Sequence, residues 1–308
     1  MFGFFKPRPV ATATAPAVSV SDKASPRGDA VVDAVLMSGV VLPPYPALLE
    51  ELDQLMAHDD FELDRLVDVV VRDPSLTAAL LRVANSPVFG LHQTLTSLRQ
   101  AVTVLGLART RAVLRSEVLR DVLRDYGNPA MIQALWQRFG DIGGLTAALA
   151  ARSAILKHQS DLAYSVGIFH GTGCFILVKR FPQETRGLAT AGKAFETQMC
   201  QLDEQLGADH AAIGALVARG WRLPPEVVEA IPQQRRLRQT PETMGTASPL
   251  ACLLRLAVLL HDGNIEPESW PKLRDIASDQ IGLDEADLNE TMTELGLAET
   301  PSFPGRAE

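Results

Sequence analysis

Apolar side chains recur at intervals of three or four residues from about residue 30 onward, the spacing of one face of an α-helix. Residues 46–57 place Leu48, Leu52 and Leu55 on such a face, and residues 62–72 repeat the pattern. Runs that alternate apolar and polar residues, which would predict strands, are nearly absent. The pattern therefore predicts an all-α fold.

Residues that start and stop helices divide this pattern into segments. Asp73 before Pro74 combines a favoured N-cap with proline in the first helical turn, and Gly106 separates two apolar segments. A longer helix follows at about 107–125. The second half predicts helices at 129–158, 161–180, 183–205, 208–220, 224–231, 246–262, 267–281 and 284–297. Residues 232–247, rich in Pro, Gln and Arg, are predicted to form a loop.

The composition is that of a chain with a packed core. Of 308 residues, 46% are hydrophobic and 21% are charged, which excludes disorder of the whole chain. The 37 acidic residues outnumber the 29 Lys and Arg residues and give a net charge of −8, which argues against a nucleic-acid partner. Aromatic residues make up 6% of the chain, too few for a surface that stacks bases.

Cysteine spacing and hydropathy indicate the cellular compartment in which the protein is expected. The three cysteines, Cys174, Cys200 and Cys252, lie far apart and form no CxxC pair, which excludes a disulfide framework and a cysteine zinc site. No uninterrupted apolar run reaches the roughly 18 residues that indicate a membrane helix. Residues 1–10 lack the pattern of a signal peptide. We therefore expect a cytoplasmic protein without a membrane span.

Short motifs follow one another in a specific order along the chain. They are LPPYP at 42–46, DPSL at 73–76, NSPVFG at 85–90, GIFH at 167–170 and DHAAIG at 209–214. This order resembles the HDOD family, the HD-related output domains of bacterial signalling proteins, over about residues 35–262. The positions that carry the resemblance as structural residues are Pro43, Pro46, Asp73, Pro74, Asn85, Ser86, Phe89, Gly90, Gly106, Trp136, Gly214, Trp221 and Pro224.

The resemblance implies a division of the chain. It implies a single elongated helical domain with two lobes, of which the second is related to metal-dependent phosphohydrolases. The expected N-terminal lobe spans residues 29–128, and the HD-like lobe spans residues 129–262. Residues 1–28, rich in Ala, Thr, Ser and Pro, are predicted to be a disordered tail. Residues 263–308 are predicted to form C-terminal helices and a frayed end.

The HD metal motif that the resemblance implies is incomplete. A hydrolase of this type needs several His and Asp ligands around a cation that activates water. His170 takes the place of the motif histidine, but Gly171 replaces the aspartate that follows it. Other positions where the family places a ligand or a phosphate-binding lysine are occupied by Arg138, Cys174, Gln233, Gln234 and Val258. The ligand candidates that remain are His170 and His210, with Asp209 or Asp141 as a third. Because catalytic zinc sites use three protein ligands and structural sites four, we predict no catalytic residue, no bound metal and no cofactor.

The residues that remain from the metal motif can be explained by roles in the fold. His170 is expected to be a hydrogen-bonded helix residue, and Asp209 is expected to lie in the first turn of a helix, where the dipole favours a carboxylate. Six glycines cluster in two of the predicted helices, namely Gly140, Gly143, Gly144, Gly167, Gly171 and Gly173. Our hypothesis is that these small residues let the helices approach, and that Phe139 and Phe169 fill the space of an ancestral metal pocket.

The sequence thus favours a non-catalytic regulatory module of bacterial signal transduction that contacts other signalling proteins. The expected contact regions are the tail, the loop at 232–247 and the acidic helices at 267–297. One alternative is a phosphohydrolase acting on a nucleotide or phosphoester with an atypical ligand set. A second alternative is a nucleotide-binding sensor that uses Arg138 or Arg235. No oligomeric state is favoured.

Overall fold

The computed structural model describes residues 41–57, 61–86, 93–237, 247–263 and 270–294. The predicted tail, the motif residues Phe89 and Gly90, and residues 238–246 of the predicted loop lie outside these ranges. The described residues form helices and contain no strand, which confirms the all-α prediction.

Thirteen α-helices lie within the described ranges. They are α1 (Ala47–Ala57), α2 (Leu63–Val71), α3 (Pro74–Ala84), α4 (Leu98–Leu123), α5 (Pro129–Arg152), α6 (Ser160–Phe169), α7 (Thr172–Arg180), α8 (Phe195–Leu206), α9 (His210–Gly220), α10 (Pro225–Arg236), α11 (Pro249–Asp262), α12 (Trp270–Ile276) and α13 (Glu285–Glu294). Short 3₁₀ helices precede α8, and a π-helical turn follows α12.

Several helix boundaries lie where the sequence placed them. Asp73 caps α3 by accepting a hydrogen bond from the Ser75 amide at 2.8 Å, with Pro74 at the first helical position. Gly106 has φ 73° and separates two helical segments that together make up α4. Asn85 ties the end of α3 to Leu95, whose amide donates to the Asn85 side chain at 2.6 Å and whose carbonyl accepts from it at 2.9 Å. The side chain of this motif residue therefore closes the connection from α3 to α4.

Other boundaries differ from the prediction. The helix expected at 161–180 is broken at His170 and Gly171, and the helix expected at 183–205 begins only at Phe195. The predicted loop at 232–247 is wrong at its start, because α10 continues through Pro232 to Arg236.

Contacts from other elements explain the extra turn of α10. The Gln233 side chain accepts a hydrogen bond from the Ser248 amide at 2.9 Å, and the Arg235 guanidinium binds two carboxylates of neighbouring elements. Proline costs about 3 kcal/mol inside a helix. The contacts of Gln233 and Arg235 offset this cost at Pro232, so the helix continues where the local sequence predicts a loop.

Helix α6 lies at the centre of the packing. It packs along α5 and also contacts α4, α9, α10 and α11. The segment Ser160–Arg180 is apolar enough to cross a membrane by length and composition, but 78% of its apolar window is buried in the fold, as in a core helix. Helices α1 to α4 pack on one another. The lobe boundary between residues 128 and 129 stays a prediction.

Candidate functional site

His170 lies at the break between α6 and α7. Its Nδ1–H donates to the Gly167 carbonyl at 2.7 Å, and only 5% of the residue is exposed. Burial lowers the pKa of His170 from the usual 6.5 to about 4, because the charged imidazolium is poorly solvated there. The side chain is therefore a neutral, hydrogen-bonded imidazole at physiological pH.

An aromatic ring fills the space beside His170. The Phe139 ring lies edge-on to the imidazole, with centroids 5.1 Å apart. A Cβ atom added to Gly171 would overlap this ring, so the aspartate of an intact HD motif cannot be accommodated unless Phe139 moves. Phe169 points elsewhere and packs its ring on Trp221. The filling hypothesis therefore holds for Phe139 and not for Phe169.

Glycine also permits a close approach of two helices in this region. A Cβ atom on Gly173 would overlap the backbone carbonyl of His210, where α7 meets the start of α9. Gly140 and Gly144 have no neighbour within 4 Å of such an atom. Part of the glycine cluster thus serves packing, and part of it does not.

Arg138 lies where the resemblance would place a first histidine ligand, and it is paired within the chain. Its two terminal nitrogens bind the Asp262 carboxylate at 2.6 and 2.9 Å, and its guanidinium lies 4.2 Å from the ring centroid of Phe195. His261 Nδ1 donates to the same carboxylate at 2.9 Å. Burial alone would raise the pKa of Asp262, but the hydrogen bonds from His261 and Arg138 hold it below its usual value.

A second cluster surrounds His210. Its Nδ1–H donates to Asp203 at 2.7 Å, and its backbone amide donates to the same carboxylate at 3.0 Å. Asp209 caps α9 through the amides of Ala211 and Ala212, in the position that the sequence predicted for it. Arg235 Nη1 lies 2.5 Å from Asp209 and 3.3 Å from Asp203. Only 1% of the Asp203 side chain is exposed.

The cluster around His210 contains the side chains that could ligate a metal ion. Among the described residues, Asp203, Asp209 and His210 form one group whose ligand atoms lie within 4.8 Å of one another. The Arg235 guanidinium binds both carboxylates of this group. Because the Arg235 guanidinium already neutralises both carboxylates, and Asp203 also accepts from the amide and the imidazole of His210, the residues present do not fit a catalytic metal with an open coordination position.

Comparison with known proteins decides the family. The HDOD domain model matches residues 42–237. This chain belongs to the HDOD family. The match is shorter at both ends than the span of about 35–262 expected from the motifs.

This HDOD protein is similar to proteins from several organisms. An uncharacterised protein of Treponema pallidum (strain Nichols) is 24% identical over 75% of this chain, which spans about half (45%) of that relative's length. An HDOD domain protein of unknown function from Geobacter sulfurreducens has 20% identity and a TM-score of 0.63, covering 87% of this chain and 96% of that one. A proposed phosphohydrolase from Shewanella amazonensis SB2B has 24% identity and a TM-score of 0.61, covering 85% and 95%. At these identities the solved structures establish the shared fold.

The other positions at which this HDOD chain departs from the HD motif are mostly buried. Cys174 and Val258 are each 1% exposed and Gln234 is 2% exposed, so they lie in the core. Trp136 packs on Phe175 with centroids 5.0 Å apart. Gly214 lies against the backbone of His170. Trp136 and Gly214 thus pack helices next to Phe139 and His170.

The sequence reasoning missed two carboxylates of the site, although each leaves a signal. Asp203 follows Met199 by four residues and therefore falls on the buried face of α8. Asp262 ends the apolar helix α11, where the helix dipole disfavours a carboxylate unless a cation pairs with it. An acidic residue on the apolar face of a helix, or at the C-terminus of an apolar helix, indicates that a cationic side chain pairs with it in the core.

The buried neutral state of His170 predicts a pH dependence of stability. Between pH 6.5 and about 4 the unfolded chain binds a proton at this residue that the folded chain does not, so the free energy of unfolding falls as the pH falls, by about 1.4 kcal/mol per unit. We expect His170→Asn to flatten the curve in this window relative to the parent, measured by urea unfolding at pH 7, 6 and 5. Parallel curves for the two proteins would show that His170 is not the group responsible.

Proposed function

We propose that this HDOD protein is a non-catalytic regulatory module that acts in the cytoplasm through contacts with other signalling proteins. The observation that supports this most directly is the filling of the degenerate pocket. Phe139 occupies the space beside Gly171, and the chain's own guanidinium groups, Arg138 and Arg235, pair with the buried carboxylates.

The chemistry of hydrolysis explains why this filling matters. A metal-dependent phosphohydrolase needs a cation that keeps a position open for water and for the phosphate oxygen. In the cluster around Asp203, the guanidinium of Arg235 forms ion pairs with the carboxylates of Asp203 and Asp209. A guanidinium has no exchangeable coordination position and no acidic bound water. These contacts favour a scaffold over a catalyst.

The same contacts weigh against a nucleotide sensor based on these arginines. Arg138 binds Asp262, and Arg235 binds Asp209 and Asp203, so each charge is already neutralised. A nucleotide phosphate would have to displace a carboxylate from each guanidinium, which would leave that carboxylate without its cationic partner. Protein contact therefore remains the better-supported mode of action.

Part of the predicted acidic contact region is described. On α13, Glu290 and Glu294 lie 3.7 and 2.7 Å from Arg152 of α5. Leu288 and Met292 are buried and pack α13 on the body, while Asn289 and Glu290 are exposed on its outer side. The tail and most of the loop at 232–247 lie outside the described residues.

Affinity capture from the native cell tests this proposal, using the full chain and a variant without residues 1–28. We expect the full chain to capture signalling proteins reproducibly, and loss of capture by the shortened chain would assign the contact to the tail. In parallel, the purified full chain is assayed on nucleotides and phosphoesters with Mg²⁺, Mn²⁺ and Zn²⁺. Metal-dependent turnover, abolished in His170→Asn and His210→Asn, would overturn the proposal in favour of a phosphohydrolase.

A further inference from the structure

Three side chains lie one turn apart along α4 and run from the surface into the protein. Leu107 is 38% exposed, the side chain of Arg111 is 37% exposed, and that of Arg115 is 11% exposed. Residues four apart on a helix are neighbours on one face. These three residues, here named the α4 row, therefore place an apolar side chain at the surface beside two cationic ones.

One carboxylate faces the two arginines of the α4 row. Asp53 of α1 accepts hydrogen bonds from Arg115 Nη2 at both of its oxygens, at 3.1 and 2.9 Å, and the Tyr45 hydroxyl also donates to it. Arg111 Nε lies 3.5 Å from Asp53 Oδ1 and forms no hydrogen bond with it. The carboxylate is thus used by Arg115 and Tyr45, and Arg111 retains only a long ion pair.

The donors of Arg111 are the ones that the fold leaves without an acceptor. Its Nε is buried and has no hydrogen-bond partner, and the same holds for Arg115 Nε. The terminal nitrogens of Arg111 also have no acceptor among the described residues, and they are not enclosed as Nε is. Two like charges one turn apart repel each other, and here they share one carboxylate. The α4 row therefore has a surplus positive charge and an open guanidinium end.

A protein carboxylate suits this arrangement better than a free inorganic anion. A guanidinium binds a carboxylate through two parallel hydrogen bonds. Leu107, one turn from Arg111, adds exposed apolar surface that a protein segment would cover and a phosphate ion would not. Arginine is enriched at protein interfaces, where surrounding apolar contacts exclude water from the charged pair.

We infer that the α4 row is a docking surface for an acidic segment of a partner protein. An Asp or Glu carboxylate of the partner binds the terminal nitrogens of Arg111, and an apolar side chain next to it packs on Leu107. The inference rests on the proposed function and deepens it, because it names a surface and the chemistry of its occupant. This surface lies outside the tail, the loop and the acidic helices that the sequence suggested as contact regions.

Selection from a phage-displayed library of random dodecapeptides tests this surface, with the full chain as bait and Arg111→Ala as the counter-selection. We expect the peptides retained by the parent alone to be enriched in Asp and Glu beside apolar residues. A selected peptide, measured by fluorescence anisotropy, should bind Arg111→Ala at least about tenfold more weakly, because the charge-assisted pair is lost. Arg111→Lys keeps the charge without the planar fork, so an intermediate affinity is expected.

Arg120→Ala is the matched control, because Arg120 is an exposed arginine of the same helix, paired with Glu117 at 3.5 Å. It should leave the affinity unchanged. Arg111→Ala should keep the urea midpoint of the parent, since Arg111 forms no hydrogen bond in the fold, and this excludes unfolding as the cause of lost binding.

Failure to select any peptide that distinguishes the parent from Arg111→Ala would overturn the inference, and so would selected peptides without acidic residues. Binding of inorganic phosphate that depends on Arg111, with peptide binding that does not, would overturn it in favour of a small anion. Peptides that bind the parent and Arg111→Ala equally would remove the α4 row as a docking surface. Protein contact itself would then still be decided by the affinity capture and the hydrolysis assays.

Discussion

Replacing Gly173 with alanine is expected to destabilise the protein by at least about 3 kcal/mol, although it adds a single methyl group. The new Cβ would overlap the backbone carbonyl of His210, and a backbone atom cannot swing aside as a side chain can. Helices α7 and α9 would have to separate, which would disturb the Asp203 cluster behind His210. Urea unfolding measures the change, with the midpoint falling at an unchanged slope.

Gly144→Ala is the matched control for that substitution. Gly144 also lies within a helix, α5, but a Cβ atom there has no neighbour within 4 Å. The methyl group should therefore stabilise the helix by about 0.5–1 kcal/mol, the ordinary difference between alanine and glycine. If the two variants had similar stabilities, the close approach of α7 and α9 would not exist in solution.

Asp203→Ala is expected to cost about 3–5 kcal/mol, the range for breaking a buried charged pair from one side. The carboxylate accepts from the His210 imidazole and the His210 amide, and it forms an ion pair with Arg235 at 3.3 Å. Its removal leaves a buried amide without an acceptor and a guanidinium with one partner fewer. Denaturant unfolding of the variant measures the loss.

Two variants separate the charge of Asp203 from its place in the fold. Asp203→Asn keeps the shape and one acceptor oxygen, so it should cost less than alanine. Asp209→Ala removes the other carboxylate on Arg235, but Asp209 is 34% exposed and acts as a helix cap, so about 1 kcal/mol is expected. If Asp203→Ala cost no more than Asp209→Ala, the buried cluster would not be a determinant of stability.

The helical fold follows from local signals that the sequence displays. The three- to four-residue period, the Asp73–Pro74 start of α3 and the break at Gly106 each act within a few residues, so they could be predicted. Continuation of α10 through Pro232 depends on Ser248 and Asp203, which are distant in sequence. No local rule could have indicated it.

The candidate site also has features that the sequence predicts and features that it does not. The loss of the motif aspartate is visible at Gly171, so an incomplete metal site could be predicted from the sequence. The filling of that space by Phe139 could also be predicted, as a hypothesis from its size and place in the helix. The pairing of Arg138 with Asp262 could not, because the two residues come from helices that are distant in sequence. The sequence indicates Arg138 and Arg235 as candidates for binding an anionic ligand, and the structure pairs them with carboxylates of the same chain.

The placement of Arg235 within the Asp203 cluster has a thermodynamic consequence. A core held by a bound cation gains stability by mass action, in proportion to the logarithm of the free cation concentration, and loses it when the supply falls. A guanidinium that belongs to the chain is present at a fixed effective concentration in every molecule. The cluster around His210 therefore keeps its counter-charge whatever the metal content of the cell, and folding of this part of the protein is uncoupled from metal supply.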